Sequence, residues 1–295
     1  MFEGSKFTLV KSRNNNNDRI PVLTWEIEHD SRDDVMEIVP LGDLHVGNAA
    51  CDEDGIRSAV EYIYNNPNAY WIGMGDYGDF INMRDHRFDP IALADWVTTR
   101  DLVDLAGAQK RRVLNILEPI ANKCLGLVKG NHDKKIHRAW ERAIFDEIVV
   151  GMKERAWYLG GVAEIDLSLN YWGFVHLKFR RAGAAVRTVV ISAHHGFGSS
   201  KNITGMEKFL WSHECDVALF GHTHHMTSHR SARTEITKTG KVVYRPQWGV
   251  VTGSFLQSDA DYAVQAGYMP VPTGTTKITL RPGAVNVNDL VRVSL

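Results

Sequence analysis

The chain has 295 residues, is 44% hydrophobic and 23% charged, and carries a formal net charge of −1. These values are typical of a globular protein, and they exclude a protein that binds nucleic acid or anionic membranes through its overall charge. Cys51, Cys124 and Cys215 form no CxxC pair, which argues against a disulfide framework or a cysteine zinc site. Because there is also no long apolar run or signal-like start, we expect a soluble cytoplasmic protein without a membrane partner.

The first half of the chain alternates strand and helix patterns. Buried strands ending at or near glycine are predicted at residues 36–42 (MEIVPLG), 70–75 (YWIGMG) and 124–130 (CLGLVKG). Helical patterns occupy residues 54–66, most of 90–121, and 134–156. This alternation indicates an α/β fold.

The second half is rich in strands. Apolar or alternating segments separated by short turns occur at residues 162–169, 171–179, 187–194, 216–221, 241–255 and 275–280. Alternating strands and helices followed mainly by strands predict a layered α/β sandwich. We expect one domain over residues 1–295, with a helical insert at about 81–123 and a C-terminal extension at about 256–295.

Histidine, aspartate and asparagine follow five of these strands, each time beside a glycine. They occur in GDLHVG (Asp43, His45), GDYGD (Asp76, Asp79), KGNHD (Asn131, His132, Asp133), AHHG (His194, His195) and GHTHH (His222, His224, His225). Seven of the 13 histidines lie in these five places. Each motif alone fits a solvated turn, but five of them in order at strand ends predict a shared site.

The residue types in these motifs are those that bind divalent metals. Mixed carboxylate, amide and imidazole ligands suit manganese, iron or zinc, whereas calcium takes oxygen ligands and structural zinc takes thiolates. The pattern therefore indicates a site for divalent metal ions, of which we expect manganese, with iron or zinc as alternatives.

The order D-x-H, G-D-x-x-D, G-N-H-D, H-x-G and G-H-x-H resembles the calcineurin-like metallophosphoesterase superfamily, and the motifs span residues 43–224. The stretches GDLHVGNAACD, HHGFGSSKNITGMEKF and VTGSFL resemble its phage and prophage branch. The resemblance implies a four-layer α/β/β/α sandwich with a dinuclear metal site at the carboxyl ends of the strands.

The resemblance also implies a role for each position. One metal would be held by Asp43, His45 and His224, the other by Asn131, His194 and His222, and Asp76 would bridge both. His194 is chosen over His195 because the H-x-G pattern of the superfamily places the ligand first. A hydroxide between the metals would attack phosphorus in line, His132 would face the leaving oxygen, and Asp79 would orient His132.

Candidate substrate contacts are less specific. Arg84, His86 and Arg87 follow the GDYGD motif and could reach a substrate phosphate, as could His195; a solvated loop with local salt bridges explains the first three equally well. Serine/threonine protein phosphatases of the superfamily carry arginines where this chain has Phe80 and Lys134–Lys135. That difference argues against the protein phosphatase branch.

Three functions follow from these observations. The preferred one is a phosphodiesterase or phosphatase acting on nucleotides or small phosphate esters. The alternative is a DNA exonuclease or endonuclease of the recombination-repair type, which the near-neutral charge disfavours. A non-catalytic scaffold is the third, and the presence of every expected ligand type argues against it.

Overall fold

The computed structural model shows a mixed α/β fold with two β-sheets and helices, as predicted. It describes residues 7–14, 20–81, 83, 85, 88–133, 143–161, 166–196, 212–258 and 270–295. The strands are β1 (Phe7–Asn14), β2 (Val22–His29), β3 (Met36–Leu41), β4 (Ala69–Gly73), β5 (Cys124–Leu127), β6 (Trp172–Arg180), β7 (Arg187–His194), β8 (Val217–Phe220), β9 (Met226–Ile236), β10 (Val242–Thr252), β11 (Lys277–Leu280) and β12 (Val291–Ser294). The α-helices are α1 (Glu53–Asn65), α2 (Leu105–Leu117) and α3 (Ile144–Tyr158).

The strands form a seven-stranded sheet in the order β1-β2-β6-β7-β8-β10-β9 and a five-stranded sheet in the order β12-β11-β3-β4-β5. In the smaller sheet β3, β4 and β5 are parallel, and in the larger sheet β7 is parallel to β8 and β8 to β10. Parallel neighbours end at the same edge of a sheet. The strands that carry the five predicted motifs therefore end together within each sheet.

The five-stranded sheet is the middle layer of the described fold. All five residues of β4 are buried, as expected for a parallel strand covered on both faces. On one face Trp71 donates its indole N–H to Ile120 O in the 3₁₀ helix Glu118–Lys123. On the other face, Trp25 of the larger sheet donates to Leu125 O at 2.9 Å. One hydrophobic core spans both sheets and the helices.

Most of the predicted elements are present. Within the helix predicted at 134–156, Ile144–Tyr158 are helical, and residues 134–142 lie outside the described part of the chain. Of the predicted strand 162–169, the described residues form only an isolated bridge between Ser168 and Leu127. Strands β1, β2 and β9 were not predicted. A second helical layer against the larger sheet is not tested by the described residues.

The segments expected to be an insert and an extension also contain regular structure. Residues 90–123 hold three 3₁₀ helices and α2, and the C-terminal strands β11 and β12 complete the five-stranded sheet beside β3. No described helix is long and apolar enough to cross a membrane.

Lys123 closes the carboxyl end of α1. The side chain is 1% exposed, and its ammonium group donates to Ile63 O at 2.6 Å and to Asn66 O at 2.7 Å. The last carbonyl groups of a helix have no partner within the helix, so a buried cation there satisfies groups that water cannot reach.

We expect Lys123→Met to lower the free energy of unfolding by about 2 kcal/mol, because it leaves buried carbonyl groups without a donor. The measurement is urea unfolding followed by circular dichroism. Lys238→Met, at an exposed turn residue, is the matched control and should change stability by less than about 0.5 kcal/mol. Equal stability of the two variants would show that the ammonium group does not stabilise this helix end.

Candidate metal centre

The turns after β3 and β4 are joined by a ladder of backbone hydrogen bonds. Asp43 N donates to Gly75 O at 2.9 Å, Leu44 N to Asp76 O at 2.9 Å, and Val46 N to Tyr77 O at 3.1 Å. The two turns therefore form one rigid unit that carries four of the predicted site residues. A contact between the sheets adds a third turn, because His222 N, after β8, donates to the Asp43 carboxylate at 2.8 Å.

Backbone strain is concentrated in this unit. Seven non-glycine residues in the described part of the chain have positive φ, and five of them are predicted ligands: Asp43 (49°), His45 (49°), Asp76 (50°), His222 (70°) and His224 (58°). A non-glycine residue in this region costs of order 1–3 kcal/mol and persists only where surrounding contacts enforce it. Clustering of such residues is typical of a functional site.

Among the described residues, ligand-capable side chains converge in three groups, and within each group the candidate ligand atoms lie within 4.8 Å of one another. The groups are Asp43–His45–His224, Asp76–His195–His222 and His45–Asp79–His132. The first matches the ligands predicted for one metal. The second contains Asp76 and His222 as predicted, but with His195 in place of His194.

The first group has the arrangement expected of metal ligands. His45 donates from Nδ1 to Asp79 Oδ1 at 3.2 Å, and its buried Nε2 makes no hydrogen bond within the described ranges. The buried Oδ1 of Asp43 likewise makes no hydrogen bond to any described residue and lies 3.4 Å from His224 Nε2. Unsatisfied buried polar atoms are costly, and a carboxylate behind a histidine is the usual support of a metal ligand. These residues fit a divalent cation.

The second group is built around His195, which is 2% exposed. Its Nδ1 donates to Met74 O at 2.8 Å, and its Nε2 lies 3.0 Å from Asn131 Oδ1 and 3.3 Å from Asp76 Oδ2. A backbone carbonyl thus fixes one ring nitrogen while the other faces two oxygen ligands. The structure therefore brings Asn131, Asp76, His195 and His222 together.

The structure places His195, rather than the predicted ligand His194, against Asn131 and Asp76. His194 is the last residue of β7, and successive side chains of a strand point to opposite faces of the sheet. Val189, Ile191 and Ala193 point into the core, so His194 points to the other face. Its Nδ1 accepts from Gly196 N at 2.7 Å, and its ring lies 6.3 Å from the ring of Phe220. The first histidine of the pair therefore packs on the outer face, and the second faces the site.

The predicted contact between Asp79 and His132 is also corrected. The Asp79 carboxylate lies 3.9 Å from His132 Nδ1 and is hydrogen-bonded to His45 instead. His132 Nδ1 donates to the backbone carbonyl of Asp79, with an N···O distance of 2.5 Å. Asp79 thus supports two histidines, one through its side chain and one through its main chain.

Asp133, the last residue of the KGNHD motif, ties two of the turns together. Its Oδ2 accepts from Gly130 N at 2.7 Å and from Asp76 N at 3.1 Å. Burial and the neighbouring Asp76 carboxylate raise the pKa of Asp133 to about 7. The residue holds the ligand-bearing turns rather than offering a ligand to either group.

The site concentrates negative charge in a buried space. Burial alone would lower the pKa of His195, but the Asp76 and Asp43 carboxylates outweigh it and raise that pKa to about 10. Burial would raise the pKa of Asp76, yet His195 and His132 hold it well below its usual value. A pocket whose carboxylates stay ionised at 0% and 2% exposure is one where a divalent cation is favourable.

The remaining substrate-contact candidates, Arg84, His86 and Arg87, lie outside the described residues. Gln109 of α2 contacts the site and was not predicted. Its only sequence signal is a polar residue among the apolar positions of a helix.

The chain was compared with family models, curated proteins and solved structures. No protein-family model matches the chain. No curated protein matches it. Zn²⁺-bound Vps29 from Entamoeba histolytica is 12% identical, with a TM-score of 0.36 over 88% of this chain and 97% of that one. A metallophosphoesterase from Sphaerobacter thermophilus is 13% identical, with a TM-score of 0.36 over 84% of each chain. GAP50 of Plasmodium is 10% identical, with a TM-score of 0.42 over 83% of this chain and 81% of that one. Likenesses at this level do not establish a function.

For the two-ion site that the sequence resemblance implies, we expect His195→Ala to lose one ion and His194→Ala to keep both, because only His195 faces Asp76 and Asn131. The measurement is metal content by mass spectrometry after reloading stripped protein with manganese and removing excess ion. The two variants are adjacent and chemically identical changes, so each controls for the other. Loss of metal in His194→Ala alone would reverse the assignment.

Proposed function

We propose that the protein is a metal-dependent hydrolase of phosphate esters. The observation that carries the proposal is the convergence of Asp43, His45 and His224 beside Asp76, His195 and His222 in one buried site. Carboxylate and imidazole groups in this number suit two borderline divalent ions, and manganese is the ion we propose, with iron or zinc as alternatives. The sequence resemblance to the calcineurin-like metallophosphoesterases supports the same class.

Each ion has a distinct set of residues in the proposal. Asp43, His45 and His224 would hold one ion, and Asn131, His195 and His222 the other. Asp76 would bridge them. When bound, the two ions would supply Lewis-acid stabilisation of the phosphoryl group and a water of lowered pKa.

His132 is the residue we assign to the leaving group. Its side chain is 11% exposed, whereas Asp43 and Asp76 are 0% and 2% exposed, so it lies between the buried ligands and solvent. Because Nδ1 donates to Asp79 O, the proton that is exchanged with substrate must be carried by Nε2. A histidine in this position protonates a leaving oxygen or stabilises its charge, a contribution of typically 10²–10⁴-fold.

The substrate class we propose is nucleotides or other small phosphate esters. A formal net charge of −1 supports this choice over nucleic acid, whose binding relies on neutralising many phosphates with lysine and arginine. A DNA nuclease and a non-catalytic scaffold are outcomes that the first experiment separates from it.

The first experiment measures initial rates on p-nitrophenyl phosphate and bis-p-nitrophenyl phosphate with metal-stripped protein reloaded with manganese. We expect turnover that requires the metal and is abolished in His222→Ala and His224→Ala. Faster turnover of the diester directs the next assay to cyclic nucleotides, DNA and RNA, and faster turnover of the monoester indicates a phosphatase. Absence of turnover with two ions bound would contradict the proposal and favour a scaffold.

We expect His132→Ala to keep both metal ions. Its loss of activity should be larger for substrates whose leaving group needs a proton than for substrates whose leaving group does not. The loss should be about 10²–10⁴-fold with an alkyl phosphate and much smaller with p-nitrophenyl phosphate, whose leaving group needs no proton. The measurement is kcat for a series of esters with leaving groups of different pKa. An equal loss with every ester, or full activity with the alkyl phosphate, would exclude the assigned role.

A further inference from the structure

Gln109 is the one fully buried residue of the α2 helix whose side chain is polar. It is 0% exposed and lies in the segment between the second and third ligand-bearing turns. Its side-chain carbonyl Oε1 accepts from the backbone N–H of Phe80 at 2.8 Å. A buried amide costs free energy unless it is hydrogen-bonded, so this contact accounts for the acceptor half of the side chain.

The N–H of Phe80 and the carbonyl of Asp79 belong to the same peptide group. Gln109 accepts from the N–H at one end, and His132 Nδ1 donates to the carbonyl oxygen at the other, at 2.5 Å. A peptide group is planar, so fixing its N–H direction fixes its carbonyl direction. The chain of contacts runs from Gln109 through the 79–80 peptide to the ring of His132.

The conformation at this peptide needs such support. Phe80 has φ of 51°, a left-handed value that is unfavourable for a bulky side chain. Asp79 N donates to Val46 O at 3.1 Å as the last step of the ladder between the two turns, and Gln109 receives the next N–H. Gln109 thus supplies the next acceptor of the ladder, after the last backbone carbonyl, that of Val46.

Gln109 also contacts the other turn of the unit. A Cβ added at Gly47 would lie 2.3 Å from Gln109 Nε2, so the amide packs directly against the backbone that follows His45. Gly47 has φ of 101°, which only glycine adopts readily. The side chain therefore contacts both the turn after β3 and the turn after β4.

We propose that Gln109 is a positioning residue that holds the 79–80 peptide so that its carbonyl oxygen keeps the proton of His132 on Nδ1. An N–H bound by Gln109 polarises the amide and strengthens the carbonyl as an acceptor, by about 10–30% per bond. His132 Nε2 is then the nitrogen presented to the leaving oxygen. The consequence for catalysis rests on the proposed function, whereas the effect on the ring proton does not.

The test compares Gln109→Met, which keeps the length of the side chain without the acceptor, with Gln109→Glu, which keeps an acceptor oxygen. The first measurement is the ring tautomer of His132 in metal-free protein, from ¹H–¹⁵N correlation spectra assigned with His132→Ala. The second is kcat on an alkyl phosphate and on p-nitrophenyl phosphate after manganese loading. Gln247→Met is the control: Gln247 is 1% exposed and donates to Cys215 O at 2.8 Å near the start of β8, at the opposite end of that strand from His222.

We expect Gln109→Met to populate both ring tautomers, to lower kcat at least tenfold on the alkyl phosphate and less on p-nitrophenyl phosphate, and to keep manganese affinity within threefold. Gln109→Glu should restore the Nδ1–H tautomer and most of the rate, and Gln247→Met should change neither. If Gln109→Met does not fold, Gln109→Asn, which retracts the acceptor by one methylene, takes its place with the same expectations.

An unchanged tautomer in Gln109→Met, or in Gln109→Asn where that variant replaces it, would overturn the proposal. An equal change of tautomer in Gln247→Met would overturn it as well. Absence of turnover in the manganese-loaded wild-type protein, together with the expected tautomer shift in metal-free Gln109→Met, would instead reject the proposed hydrolase and leave the positioning of His132 intact.

Discussion

The rest of the site depends on two carboxylates buried between the sheets. Asp43 and Asp76 are 0% and 2% exposed, and each is fixed by a backbone N–H from another turn: Asp43 Oδ2 accepts from His222 N and Asp76 Oδ1 from His132 N, both at 2.8 Å. A buried carboxylate is tolerated only when it is hydrogen-bonded or paired with positive charge. These contacts therefore join the end of β3 to that of β8 and the end of β4 to that of β5. They leave Asp43 Oδ1 and Asp76 Oδ2 facing the clustered histidines.

Holding five strand ends at such short range accounts for the strained backbone. These tight turns contain residues in the left-handed conformation, which glycine adopts at the lowest free-energy cost. Here aspartate and histidine occupy those positions. The free-energy cost is offset by the backbone ladder between the first two turns and by Asp133, which accepts from both Asp76 N and Gly130 N. The same contacts pre-organise the ligands, as a site that binds metal with little rearrangement requires.

The sequence predicted the strand ends well because their signal is local. An apolar run ending in glycine and followed by Asp, Asn or His marks β3, β4, β5 and β8 directly. The sequence does not show which of His194 and His195 faces inward, because in a tandem pair this depends on the register of β7. Edge strand β9 was missed because MTSHRSARTEI is half-exposed and lacks a clear apolar face. Strand β2 (VLTWEIEH), by contrast, alternates apolar and polar residues, which is a local signal of a half-buried strand.

Contacts to the main chain are what a sequence pattern cannot reveal. Any residue can supply a carbonyl oxygen, so nothing in GDYGD distinguishes the carboxylate of Asp79 from its peptide as the partner of His132. Packing decides: the carboxylate lies 3.2 Å from His45 Nδ1 and 3.9 Å from His132 Nδ1, so one side chain does not serve both rings. The backbone carbonyl of Asp79 accepts from the second ring, that of His132. The direction of this carbonyl then has to be fixed by a residue outside the motifs. A buried glutamine 30 positions beyond Asp79 does this, which places a determinant of the site in a helix that carries no ligand.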